Sequence, residues 1–174
     1  FQLIFNETIE CLKYSDRYNI IINKYISEGF NIIDKWSSIK QVPLVANYKV
    51  MALNILYIFG YYKEALKYSQ LDNKTNSAML GKIIITEHCF YYVLTIMALY
   101  KDFSEREKEI YIEIIEESLR RIKVWVKNSP ENFLHKYLLI KAEKARILNE
   151  DLKAMELYDK AIEESISRGF INIA

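Results

Sequence analysis

Glu87-His88-Cys89 is the one place in this chain where an acid, an imidazole and a thiol adjoin, and His135 is the only other histidine. A histidine-kinase phosphoacceptor would be an exposed histidine on a helix beside an acid, and Glu87-His88 has that pairing in outline. A metal site would need ligands at close spacing, which His88, Cys89 and the distant His135 do not provide. A nucleophilic Cys89 would need a lowered pKa and a positioned base, neither of which a sequence displays. The pair reads instead as a buried, hydrogen-bonded histidine beside a buried cysteine. A phosphate-binding loop fares no better: Gly81-Lys82 is followed by Ile83, with no glycine upstream at the required spacing. Trp36 and Trp125 read as packing residues. The Lys and Arg residues of 120–127 are interrupted by apolar residues every third or fourth position, as on the solvated face of an amphipathic helix. With no acid–base or metal constellation in view, a small all-α enzyme is disfavoured and no catalytic, metal or cofactor residue is assigned.

What remains is a chain built to hold a shape. Of 174 residues, only four are Gly and two Pro, which leaves little material for hairpins or flexible linkers and favours long helices with short connections. The net charge of +1 gives no overall field for nucleic acid or an anionic membrane surface. The longest apolar stretch, Phe90 to Tyr100, is too short to span a bilayer. Cys11 and Cys89 make neither a disulfide framework nor a metal spacing, which fits a reducing, cytoplasmic setting. The chain opens on Phe1 and stops within a helical-looking run, so it is expected to be a piece of something larger.

The organising feature is an echo. Gly60-Tyr-Tyr-Lys-Glu-Ala65-Leu66 is matched by Asn149-Glu-Asp-Leu-Lys-Ala154-Met155, with a turn residue five positions ahead of a small Ala in each. Tyr48, Val50 and Ile58 match Tyr137, Leu139 and Ile147 at the same offset. A helix-turn-helix repeat looks like this, with Ala where two helices cross closely. The predicted array is one helical-repeat domain over 1–174: a partial N-terminal repeat over 1–42, then helix pairs over 43–80, 81–129 and 130–170. Gly29 is expected to cap or kink a helix in the first part. In the first full pair, Leu44–Phe59 is a strongly apolar helix closed by Gly60, and its partner weakens in the polar stretch 72–76. Thr86 is expected to cap the next helix, and Ser104 with Glu107 to form a capping box. Ile115, Leu119, Ile122 and Val126 form one stripe of a long amphipathic helix. Ser129-Pro130-Glu131 supplies a cap residue, a proline at the first position and an acid near the positive helix end. Gly169 is a further cap.

Two resemblances follow from these residues. Ala154-x3-Tyr158-x2-Ala161, with Ala142 and Ala145 on the preceding helix, resembles the tetratricopeptide pattern, although Ser69 stands where Tyr158 stands later. Longer phrases are similar to the helical middle region of very large bacterial signalling proteins. They are Phe59–Leu66, Glu87–Tyr92 with Met97–Tyr100, Pro130–Tyr137, Ala142–Arg146 and Ala154–Ile162. That family joins a serine/threonine kinase domain, an ATPase module, this helical region, a GAF sensor and a histidine kinase. The resemblance implies an all-α, irregular tetratricopeptide-like stack of antiparallel helix pairs, an α-α superhelix. It also implies a non-catalytic scaffold or regulatory segment of a multidomain sensor kinase, acting in interdomain coupling or protein–protein interaction.

In tetratricopeptide-like arrays the first helix of each pair lines a groove. Mapping that onto the matching positions puts Asn47, Asn54 and Tyr57 in the first pair, and Lys136, Glu143 and Arg146 in the third, towards it. The expected partners are flanking domains of the parent kinase or another protein or peptide, with no nucleic acid, no membrane and no cofactor. The alternative is a free-standing, peptide-binding tetratricopeptide-like regulator.

Overall fold

The computed structural model describes residues 28–170 apart from 30, 32, 36 and 39. Most of the predicted 1–42 repeat, including Trp36 and Cys11, therefore lies outside the described residues. From Val42 onward the chain is helical: α1 (Val42–Ile58), α2 (Tyr62–Ser69), α3 (Asn73–Met79), α4 (Ile84–Leu99), α5 (Glu105–Asn128), α6 (Pro130–Ile147) and α7 (Asp151–Ser167), with a 3-10 turn over Tyr100–Asp102. No strand occurs among the described residues.

Two helices, α1 and α4, are apolar almost all round, and each is consequently enclosed on several sides. α1 packs against α2, α3 and α4, while α4 touches α1, α2, α5 and α6. Their buried faces, Leu53 and Leu56 on α1 with Val93, Ile96 and Met97 on α4, form the main core together with Ile115 and Ile122 of α5 and Ile140 of α6. The α5 stripe packs there as expected, with Leu119 and Val126 half-buried beside Ile115 and Ile122. A second, smaller core is the α6–α7 crossing, where Ala142 and Ala145 meet Ala154 and Leu157. Small side chains let these two backbones approach closely, as the echo with Ala65 predicts; Ala65 is likewise fully buried.

The repeated turn residues share one backbone solution. Gly60, Asn149 and Gly169 all adopt positive φ, at 81°, 59° and 79°. After each, an amide reaches back to the last turn of its helix: Tyr61 N–H to Leu56 O at 2.8 Å, Glu150 N–H to Ala145 O at 2.9 Å and Phe170 N–H to Ser165 O at 2.8 Å. This is the Schellman closure, which satisfies otherwise orphaned carbonyls and requires a left-handed residue. The echo is thus a repeated helix stop.

Several local expectations are corrected. The polar stretch after α2 is not a fading helix end but a new short helix, α3. Asp72 caps it, its carboxylate accepting from Thr75 N–H at 2.7 Å, and Met79 anchors it in a third core with Ala46 and Val50. The Thr75 hydroxyl first, and that amide second, hold the Asp72 carboxyl below its ordinary value. Asp72→Ala is expected to cost about 1 kcal/mol of stability, the usual worth of such a cap, read as a lowered urea midpoint with unchanged slope. Thr86 does not cap α4; it lies inside the helix, and its hydroxyl donates to Ile83 O at 2.7 Å. Ser129 leaves the α6 amides uncapped, because its hydroxyl donates to the Glu131 carboxylate while its own N–H closes α5 on Trp125 O. Pro130 at the first position needs no N–H partner there. Gly29 is helical and buried rather than a cap. A Cβ on it would lie 2.3 Å from the Tyr68 hydroxyl and 2.8 Å from that of Tyr48, so a close approach requires glycine there. The Ser104–Glu107 capping box is present in both directions.

Candidate functional site

The first helices of the three pairs, α1, α4 and α6, stand side by side, α4 contacting both of the others. Asn47, Asn54 and Tyr57 lie on one stripe of α1, and Lys136, Glu143 and Arg146 on the equivalent stripe of α6, each set spaced i, i+7, i+10. Between them α4 contributes Glu87 and Tyr91, which the sequence reading did not assign.

Of these side chains Tyr57, Glu87, Tyr91, Lys136, Glu143 and Arg146 form a polar and aromatic strip whose charges are already matched. Lys136 is only 7 % exposed, donates to the Glu87 carboxylate and sits 5.1 Å over the Phe90 ring. It therefore bridges α6 and α4 instead of facing solvent. Tyr57 packs against Tyr91 at 5.6 Å and against Tyr62 of α2 at 5.4 Å between ring centroids. Burial, with the nearby Glu143 charge second, raises the pKa of Tyr57, and burial with Glu87 does the same for Tyr91. Glu143 is the hub at the α7 end: it accepts from Arg146 Nε at 2.9 Å and from the Tyr158 hydroxyl at 2.5 Å. Burial and that carboxylate push Tyr158 up to about 12, so every phenol of the strip stays a neutral donor at physiological pH. Asn54 is 8 % exposed and its carbonyl oxygen has no hydrogen-bond partner among the described residues, whereas Asn47 is exposed. The structure thus brings Tyr57, Glu143 and Arg146 together and ties Lys136 to the same strip through Glu87 and Tyr91. It buries Asn54 and leaves Asn47 alone at the far end of α1.

Glu87 and Tyr91 had a sequence signal: they are four residues apart and so share a face of α4. His88, one position on, points elsewhere. Its Nε2–H donates to Ser69 O at 2.8 Å and its ring packs on Tyr92 at 5.6 Å. Burial lowers its pKa, so it is held as a neutral imidazole with one nitrogen occupied. Burial raises the Cys89 thiol in turn, against a hydrogen bond with Ser118 that lowers it. A raised thiol is a poor nucleophile. His135 is on α6, completely buried and stacked on Phe170 at 4.2 Å. Among the described residues no group of three or more His, Cys, Asp or Glu side chains could hold a metal ion, and no helix is long and apolar enough to cross a membrane.

The arrangement can hold and transmit position. Lys136–Glu87 joins the second and third helix pairs, and Tyr158–Glu143 joins the two helices of the third, so moving one of these helices strains its partner. The outer face of α7 is different: Leu152 and Met155 are 80 % and 64 % exposed, and Ile162 and Ile166 continue the same line along the helix. A family model described as CHK1-like, TPR repeats matches residues 13–172. No curated protein and no solved structure matches the chain.

Proposed function

This chain belongs to the family of CHK1-like TPR repeats, and from that premise we propose that it is the coupling region of a multidomain signalling kinase. The family is a helical repeat with a scaffold or protein-interaction role. The finer reading adds that the array links an ATPase module to sensor and kinase modules of the same polypeptide, in the cytoplasm, and passes a change in one to the other.

The observation that carries it is the α7 stripe. Leu152, Met155, Ile162 and Ile166 present a line of four exposed apolar side chains on α7, where α1 and α5 expose only the pairs Leu44/Met51 and Ile110/Val124. Such a line on a soluble surface marks a contact with another protein surface. Its proposed occupant is a flanking domain of the same kinase. The polar strip supports coupling over the rival, a free-standing peptide-binding regulator. Lys136 is already paired with Glu87 across α6 and α4, so it stiffens the stack more readily than it holds a peptide, and Arg146 is paired with Glu143 on its own helix.

The test is the double variant Leu152→Glu/Ile166→Glu in the full-length kinase. ATP binding by the ATPase module is expected to be unchanged, while kinase output loses its response to the sensed signal. Loss of ATP binding itself would sink the coupling reading, because the segment would then be part of the nucleotide-binding fold.

A further inference from the structure

A cleft of about 310 Å³ opens where α5, α6 and the start of α7 meet. On α6 it uses Tyr137, Lys141 and Lys144, with Leu148 just past the helix end, spaced i, i+4, i+7, i+11, a stripe turned away from the one carrying Lys136 and Glu143. It is thus separate from the strip described above. Five cations and two carboxylates line it. Three of those cations are already held: Arg120 by Glu117 at 2.7 Å, Lys153 by Glu150 at 2.7 Å, and Lys144 by Glu116. The two others, Lys123 and Lys141, are in no ion pair among the described residues; the Lys141 ammonium lies 5.5 Å over the Tyr137 ring. Leu148, 43 % exposed, adds an apolar surface beside them.

Two ammonium groups outside any ion pair among the described residues, one exposed and one over the Tyr137 ring, beside an exposed leucine fit one kind of occupant. We propose that this cleft docks an acidic segment of a partner protein, its carboxylates on Lys123 and Lys141 and an apolar side chain on Leu148. A nucleic acid fits less well: the chain has a net charge of only +1, and the cleft's single aromatic ring is covered by Lys141 rather than open for base stacking. The proposal rests on the protein-contact reading above and adds a second surface to it.

The test uses the whole chain and a labelled peptide of alternating glutamate and leucine, with a lysine–leucine peptide and oligouridylate as competitors. Wild-type chain is expected to bind the acidic peptide, more weakly as salt rises. Lys123→Glu/Lys141→Glu should weaken binding by at least about tenfold, while Lys63→Glu/Lys67→Glu, an equal charge reversal on α2, should leave it unchanged. Matching thermal melts exclude unfolding of the variants. No binding by wild-type chain, equal loss with Lys63→Glu/Lys67→Glu, or preference for oligouridylate would each overturn the cleft. Failure here is separable from failure of the coupling reading. A chain that binds no acidic peptide can still respond through α7, and Leu152→Glu/Ile166→Glu is expected to keep peptide binding while losing the kinase response.

Discussion

Replacing Lys136 with Met is expected to cost roughly 3 kcal/mol of folding stability, because it strands the Glu87 carboxylate against α6 without its partner. The Lys136 side chain is 9 % exposed and that of Glu87 26 % exposed, so water can only partly replace the lost ammonium. The same substitution forfeits the contact of the ammonium with the Phe90 ring. Most of the cost is the stranded charge, so the double variant Lys136→Met/Glu87→Leu should recover most of the stability. A double-mutant cycle in urea is expected to give a coupling of about 2 kcal/mol. Additive single effects would mean that the pair does not tie the second and third helix pairs together.

The second large effect concerns His135. Both ring nitrogens are buried without a hydrogen-bond partner among the described residues. Burial first, then the charges of Lys136 and Arg168, holds the imidazole down at about 4, against an ordinary 6.5. Because the folded value is depressed, the stability associated with neutral His135 is complete above pH 6.5. It is lost as pH falls from 6.5 through 4, where the unfolded chain takes up a proton that the folded chain refuses. At about 1.4 kcal/mol per pKa unit, and allowing for partial solvent relaxation, the loss is roughly 2 kcal/mol. His135→Leu removes two unsatisfied nitrogens and the titration together. It should be more stable than the parent by about 1 kcal/mol at pH 7 and by roughly 3 kcal/mol at pH 4. Urea midpoints of the two chains across this range check it; a constant difference between them would mean that His135 finds a proton acceptor on folding.

These contacts mark where the sequence was legible and where it was not. Helix stops and crossings were readable because they are local: a left-handed residue at Gly60 and Asn149, and an Ala five positions later, must lie close together along the chain. Capping at Ser104 was readable for the same reason, since donor and acceptor are three residues apart. α3 was missed because its helix carries almost no apolar periodicity, although Asp72 three positions ahead of Thr75 is the pattern of a cap. The repeat mapping places Lys136 towards the groove, where a lysine would be solvated. What buries it is Glu87, 49 residues away in sequence, and no local pattern reports such a partner. The burial of Asn54 likewise comes from neighbouring helices, which no local pattern reports. The α6 stripe itself was found through the echo, and Tyr57, Glu143 and Arg146 do meet. Tyr158, Glu87 and Tyr91, which complete the strip, come from helices that the groove mapping did not use.

Whether the array couples domains is tested most directly by cross-linking the purified chain in the presence of the flanking domains of its kinase and of whole-cell lysate, with linked residues read by mass spectrometry. The coupling account predicts that links run chiefly from Lys153 and Lys160 of α7, beside the exposed stripe, to the ATPase or GAF domain, and that Leu152→Glu/Ile166→Glu abolishes them. Links made chiefly to a separate protein, unaffected by that variant but lost with Arg146→Ala, would contradict it and make the polar strip a docking groove.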